Sequence, residues 1–484
     1  MKNKPNIIFF ICDSMDGRKM GCMGNRPLRN ATAHMDALAA DGTVFENTYC
    51  NNPVCCPSRA SMYAGQYTFH CHAWNNYKGI PAASETFKTA LQREGYLFGE
   101  FGKTDYISGR HTQRARVSAW LRSAGIMRPQ YNMPAPLLKE DFDRRCAKQD
   151  WEVVDRGLEF LEAHKNAADP FFLYISVASP HPRCVTNRYY YDKIDREAIE
   201  IPVMEEKEHP VMEYMRFCKN WHHTPTAASV REARAIYYAM IAEVDEMLGT
   251  VMDACRGLEN TYFVFVSDHG EMNMEHGQFY KYTAYEPSAR VPLIIAGPGL
   301  QKGGRHSHLT SLVDIFPTLL SLTGAKTTRK LDGSSLLPYL KGEPDRRENI
   351  ALCEYHDSGA RTGIIMLRKD NFKYIAYPGY QPQLFDLDAD PGELHDLSEE
   401  MPEKCAELDS RLRAITDYEA HDHMVKTYDH DCFRVWRDCH KAAGDYDSLM
   451  ARIFCGADDE APAIIPPWTQ EDERAVEKWL EEDF

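Results

Sequence analysis

The stretch NIIFFICDSMDGR, residues 6–18, decides how the chain is read. Ile7 to Cys12 form an unbroken apolar run, the pattern of a strand covered on both faces rather than one alternating between core and water. The run stops at Asp13, and polar turn residues follow. In open α/β sheets chemistry collects at the carboxyl ends of strands, so a buried strand ending in an acid invites comparison with the other strands.

Three more apolar runs end in polar clusters: YLFGEFGKTD (96–105), PFFLYISVASPHPR (170–183) and TYFVFVSDHGE (261–271). Between them lie segments of helical periodicity: 34–41, 57–64, ETFKTALQREG (85–95), WEVVDRGLEFLEAHKNA (151–167) and the longest, 228–255. TVFENTYC (43–50), VPLIIAGPG (291–299) and the helical SLVDIFPTLLSLTG (311–324) complete this region. The alternation predicts an α/β fold, a large and mainly parallel sheet between helices. After residue 345 the style changes to short strands and turns, ENIALCEY, TGIIMLRKDNFKYIAYP and PQLFDLDADPGELHDL, which predicts a smaller antiparallel sheet. The chain is therefore divided into 1–346 and 347–484, with a helical or irregular tail beyond 417.

A net charge of -16 argues against nucleic acid or an anionic membrane as partner. No apolar run reaches membrane-spanning length. MKNKPNIIFFICDS superficially resembles an export signal, but its apolar run is short, lacks a small-residue cleavage site and leads into acids. A buried strand and a cytoplasmic location are expected, with the 15 cysteines as reduced thiols.

Asp13, Lys103, His181, Asp268 and His269 thus stand at strand ends and can converge. Each alone also fits a bland role: an Asp after a strand caps a turn, as Asp16 is expected to, and a lone His is commonly a satisfied polar group. Asp13, Asp268 and His269 together suit a divalent cation, and Lys103 and Lys281 add positive charge for a tetrahedral oxyanion. Cys55 and Cys56 are poor partners for each other, since vicinal disulfides strain the backbone. Pro57 fits the first turn of a helix, which places Cys55 at a helix N-terminus, where free amides favour an anion. Arg59, four residues on, shares its face and can hold that anion. These residues leave open a reactive thiolate and a capped helix with no chemistry.

CCPSRASMYAG (55–65) resembles the signature of the formylglycine-dependent, type I sulfatases: Cys-x-Pro-Ser-Arg, then glycine ten residues after the cysteine. DSMDGR (13–18), WNN (74–76), FGKTDY (101–106), SDHGEMNMEHGQFYKYTAYEPSARVPL (267–293) and LFDLDADPGELHDL (384–397) are similar to other segments of that family. The resemblance covers nearly the whole chain and implies an alkaline-phosphatase-like fold. It implies that a separate formylglycine-generating or radical maturase oxidises Cys55 to formylglycine. Asp13, Cys55, Asp268 and His269 would hold Ca²⁺, with Mn²⁺ the second candidate. Arg59, Asn76, Lys103, His181 and Lys281 would line the sulfate pocket, with Lys281 or His181 protonating the leaving oxygen. Ser14 replaces a second Asp of many members, His269 an Asn, and Asp105 a frequent His. This version resembles the branch holding choline sulfatases and phosphonate monoesterases.

The resemblance further points to small sulfated saccharides such as 2-O-sulfated uronates. Their carboxylate needs a partner beyond the sulfate pocket, and His209, His356 and Arg361 are the candidates. Competing readings are a phosphate or phosphonate monoester hydrolase of the same superfamily, a choline-sulfatase-like enzyme, and a non-catalytic binding protein that keeps the fold.

Overall fold

The computed structural model describes residues 4–108, 113–126, 136–205, 207–221, 225–344, 347–454 and 467–482. Its centre is a seven-stranded sheet. In spatial order the strands are Gly304–His306, Gly42–Phe45, Leu293–Ala296, Thr261–Ser267, Asn6–Asp13, Phe171–Pro180 and Leu97–Gly102. Only Leu293–Ala296 runs antiparallel to its neighbours, so the sheet is mixed and mainly parallel. The continuous apolar run has the expected cause: Ile7 to Cys12 are each 0% exposed, paired on both edges by Thr261–Ser267 and Phe171–Pro180, with Phe87 of the helix Phe87–Arg93 stacked on Phe9. Phe9 stacks on Phe172 and Tyr174 of the neighbouring strand, with centroids 5.8 and 5.5 Å apart.

The expected helices form at Ala33–Asp41, Cys55–Ala64, Phe87–Arg93, Lys148–His164 and Ile315–Thr323. The longest, Ala227–Ala254, reaches the strand ends, where the Tyr237 hydroxyl donates to the Ser14 carbonyl (2.9 Å) and accepts from the Asp16 amide (3.1 Å). TVFENTYC splits into two short strands, Gly42–Phe45 and Thr48–Tyr49.

Beyond 347 the chain forms an antiparallel meander, Ile350–Tyr355, Ile364–Lys369, Phe372–Ala376 and Gln383–Asp386. Its alternation serves two cores. Ala351, Cys353, Tyr355 and Met366 join the large core. Leu352, Ile365 and Leu367 pack on Leu408 and Leu412 of the helix Pro402–Arg413. The expected boundary at 346/347 touches residues 345–346, which lie outside the described residues. The tail is helical, at Tyr418–Ala443, Tyr446–Phe454 and Gln470–Leu480, and buries Phe433, Met450 and Trp479 against Val117 and Trp120. Cysteines among the described residues are free thiols, and no described helix is long and apolar enough to cross a membrane.

Candidate active site

The strand ends do converge. Gly102, at φ +88°, lets the chain swing Lys103 inward; a Cβ there would lie 1.9 Å from the Ser176 carbonyl oxygen. Gly270, just past Asp268 and His269, is similarly tight, since a Cβ would meet the Pro287 oxygen at 1.9 Å. Tyr280 (φ +70°) and Tyr282 (φ +86°) flank Lys281 in left-handed conformations, a backbone strain that marks a constrained loop.

Cys55 opens a helix buried along its entire length, as its spacing from Pro57 predicts. Its Sγ lies 3.2 Å from His269 Nε2, 3.4 Å from Lys281 Nζ and 3.7 Å from Asp13 Oδ1. Burial and Asp13 push the thiol pKa up, but Lys103, Lys281 and His269 outweigh them and hold it well below the usual range. Asp13 is likewise held well below the carboxylate range: burial opposes, while Lys103, His181, His269 and Lys281 stabilise its charge. The His269 pKa is raised although burial opposes it, chiefly by Asp268.

Asp13, Cys55, Asp268 and His269 are all buried, and their ligand atoms lie within 4.8 Å of one another. His269 Nδ1 donates to the Gly270 carbonyl at 2.9 Å, which turns the Nε2 lone pair into the cluster, 3.2 Å from Cys55 Sγ, 3.5 Å from Asp13 Oδ1 and 3.7 Å from Asp268 Oδ1. Two carboxylates and a tautomer-fixed imidazole fit a divalent cation. Ser14, in the left-handed region at φ +67°, donates its amide to Asp268 and its hydroxyl to Asp13. Asp16 has the local role expected of it, bonding the amide and guanidinium of Arg18.

Arg59 has a different task from the one its spacing implies. It is 0% exposed and gives Nε to Asp268 (2.7 Å) and Nη2 to Asp13 (3.5 Å). Its Nη1 bonds the Lys103 carbonyl (2.8 Å), the Ser176 hydroxyl (2.9 Å) and the Tyr174 hydroxyl (3.1 Å). It aims the two carboxylates instead of gripping an anion. Lys103 Nζ bonds Asp13 directly, and Asp105 lies 3.9 Å from it. Lys281 Nζ meets His181 Nε2 at 2.5 Å, while His181 Nδ1 bonds the Pro182 carbonyl. A carbonyl only accepts, so Nδ1 carries hydrogen and Nε2 accepts from the Lys281 ammonium. Asn76 Oδ1 accepts from the Cys56 amide (3.1 Å), capping the helix that Cys55 opens, and the Asn76 backbone N–H donates to Asp357 (3.0 Å).

The three candidates for a substrate carboxylate are placed otherwise. His209 is the N-cap of the helix Pro210–Cys218: Nδ1 accepts from Val211 and Nε2 meets the Gln381 carbonyl at 2.8 Å, so the ring is a structural cap. His356 is 0% exposed, between Glu354 and Asp422. Arg361 is exposed, with its guanidinium beside Gly125. None of the three has a hydrogen bond or ion pair with the Cys55 cluster among the described contacts.

The sequence reading missed Lys219. It is 2% exposed, bonds the Ser358 hydroxyl at 3.0 Å and lies 3.7 Å over the Tyr282 ring, beside Lys281. Burial, with Lys281 adding, lowers its pKa to about 7. RFCKNW carries no motif that singles this lysine out.

A sulfatase family model matches residues 5–325, and one described as "N-sulphoglucosamine sulphohydrolase, C-terminal" matches 274–418. Arylsulfatase K of Gallus gallus is 36% identical over 511 residues, covering 99% of this chain and 93% of the relative. Among solved structures, a phosphonate monoester hydrolase of Agrobacterium radiobacter superposes with a TM-score of 0.70 at 24% identity, over 85% of this chain and 95% of that one. BT1596, titled a 2-O GAG sulfatase, gives 0.70 at 22% identity, over 87% and 94%.

Proposed function

The chain belongs to the sulfatase family, and from that premise, which makes it a sulfuric ester hydrolase, we propose a formylglycine-dependent enzyme that cleaves sulfate from small 2-O-sulfated uronate saccharides. The observation that carries the reading is the setting of Cys55 Sγ, within 3.2–3.7 Å of an imidazole, an ammonium and a carboxylate. Formylglycine at position 55, made by a separate maturation enzyme, supplies as its hydrate one hydroxyl to attack sulfur and a second through which sulfate is released. A divalent cation, Ca²⁺ before Mn²⁺, held by Asp13, Asp268, His269 and residue 55, supplies positive charge for the sulfuryl oxygens. Lys103 adds fixed cationic charge against those oxygens. Lys281 and His181 act as one proton-holding pair, with the ammonium proton already directed along the Nζ–Nε2 axis toward a partner base. Arg59 keeps both carboxylates aimed.

For the substrate, support comes from the likeness to arylsulfatase K. With His209, His356 and Arg361 outside the cluster, Lys219, which lies over the Tyr282 ring beside Lys281, is the group proposed to meet the substrate carboxylate. The test is sulfate release from a panel of mono- and disaccharides carrying 2-, 6- or N-sulfate, with choline sulfate and aryl phosphate alongside, plus mass spectrometry of the Cys55 peptide. Preference for 2-sulfated uronates and a formylglycine peptide are expected. An intact thiol in fully active protein overturns the nucleophile, and a preference for carboxylate-free esters overturns the substrate.

A further inference from the structure

A second convergence of ligand-type side chains lies where the small sheet meets the tail. Glu354 and His356 sit two residues apart at the end of the strand Ile350–Tyr355, and His421 lies in the first turn of the helix Tyr418–Ala443. They are 4, 0 and 8% exposed. His356 Nε2 is 3.5 Å from Glu354 Oε2, and His421 Nε2 is 3.6 Å from Glu354 Oε1. The two rings are 5.0 Å apart and cross at 85°, and the ligand atoms all fall within 4.8 Å of one another. A tetrahedral ion with bonds of about 2.1 Å has ligand-to-ligand edges of about 3.4 Å, close to both measured distances.

Hydrogen bonding leaves the two imidazoles short of partners, while Glu354 accepts from the Thr68 hydroxyl. Both ring nitrogens of His356 and Nε2 of His421 are buried with no hydrogen bond of good geometry, facing only carboxylate oxygens at 3.3–3.6 Å. Buried polar atoms left this way are rare and call for an explanation. His356 Nδ1 faces Asp422 Oδ1 at 3.3 Å, the arrangement by which a carboxylate orients a metal-bound imidazole and leaves its other nitrogen for the ion. Asp422 is itself fixed by Lys426 (2.7 Å), the Gly363 amide (2.8 Å) and Arg122 (3.3 Å). Those two cations are engaged on Asp422, whereas Glu354 has the Thr68 hydroxyl and the two imidazoles.

We propose that Glu354, His356 and His421 form a second metal site, separate from the catalytic centre, that takes Zn²⁺ and ties the tail helix to the small sheet. Two imidazoles and one carboxylate are the donor set of a four-coordinate zinc, with water as fourth ligand, and are poor for Ca²⁺, which wants six or more oxygens. The metal-free competitor is a doubly protonated His356 bridging Glu354 and Asp422.

The experiment counts metal on the full chain. Asp268→Ala weakens the catalytic centre, and any ion still held there meets the Cys55 thiolate, so zinc retained after gel filtration without a thiolate-to-cobalt band in the cobalt form reports the second site. One equivalent is expected in Asp268→Ala, falling to none when His421→Ala or Glu354→Gln is added. Cobalt titrated into Asp268→Ala should give the visible bands of a four-coordinate nitrogen–oxygen site. This measurement needs no second substitution, so it decides even where His421→Ala fails to fold. No zinc and no cobalt bands in Asp268→Ala overturn the proposal. A thiolate-to-cobalt charge-transfer band, or zinc persisting in both double variants, overturns it too by placing the ion elsewhere.

Discussion

Arg59→Lys separates aiming the carboxylates from binding the sulfate. Arg59 makes five directed contacts with no exposure: two to Asp268 and Asp13, and three from Nη1. A lysine keeps the positive charge but reaches from a single nitrogen and lacks the planar fork. Kept on Asp268, it forfeits the Asp13 contact and leaves the Lys103 carbonyl unsatisfied, whereas Tyr174 and Ser176 can rotate their hydroxyls. A lost hydrogen bond to a charged group counts for about 1.5–3 kcal/mol, and a buried unsatisfied acceptor for about 1–3 kcal/mol. The sum, about 2.5–6 kcal/mol, divides between fold stability and the geometry of the carboxylates. With about half falling on the site, cation affinity and kcat together lose about 8- to 140-fold, at 1.4 kcal/mol per tenfold. The assay is metal titration and steady-state kinetics on an activated aryl sulfate, with product inhibition by inorganic sulfate. Weaker metal binding, lower kcat and unchanged sulfate inhibition are expected. Unchanged metal affinity with a large loss of sulfate inhibition would refute the reasoning and return Arg59 to the anion.

Lys281→Ala should slow poor leaving groups more than activated phenols, because Lys281 and His181 share the proton; Lys103→Ala should slow both alike, as a leaving-group series with each variant will tell. Asp268→Ala should lose turnover and the catalytic ion together, and activity surviving exhaustive chelation would remove the cation from the reaction. Lys219→Met concerns pH. The buried lysine has a folded pKa lowered to about 7, below its unfolded value, so the fold disfavours its charged form. The unfolded chain binds more protons between about pH 7 and 10.4, so this group's contribution to stability rises with pH there. The methionine variant should therefore gain most on wild type below pH 7, and the gap should narrow toward pH 10, as denaturant melts at pH 6.5 and 9.5 will measure.

What the sequence determined on its own was the set of features written in neighbouring residues. Apolar runs that stop at Asp13, His181 and Asp268 state both a strand and where it ends, because a strand buried on both faces needs every side chain apolar, whereas the strand before Lys103 is a half-exposed edge strand that carries Glu100. The motif from Cys55 to Gly65 states a helix start at Cys55 and its end at Gly65, because Pro57 and the adjacent amides act within one turn and glycine accepts the left-handed cap. The antiparallel meander was legible in the same way, from period-two alternation broken by turns. Tertiary structure alone decided the tasks that depend on what lies opposite. Arg59 has the spacing of an anion ligand, yet the chain brings Asp13 and Asp268 onto its guanidinium first. His209 looks like a free imidazole until Gln381, far along the chain, takes one nitrogen and its own helix takes the other. Lys219 carries no local signal, and its setting exists only because residues 282 and 358 fold over it. Contacts across hundreds of residues are set by the packing of whole elements, and no window of sequence contains them.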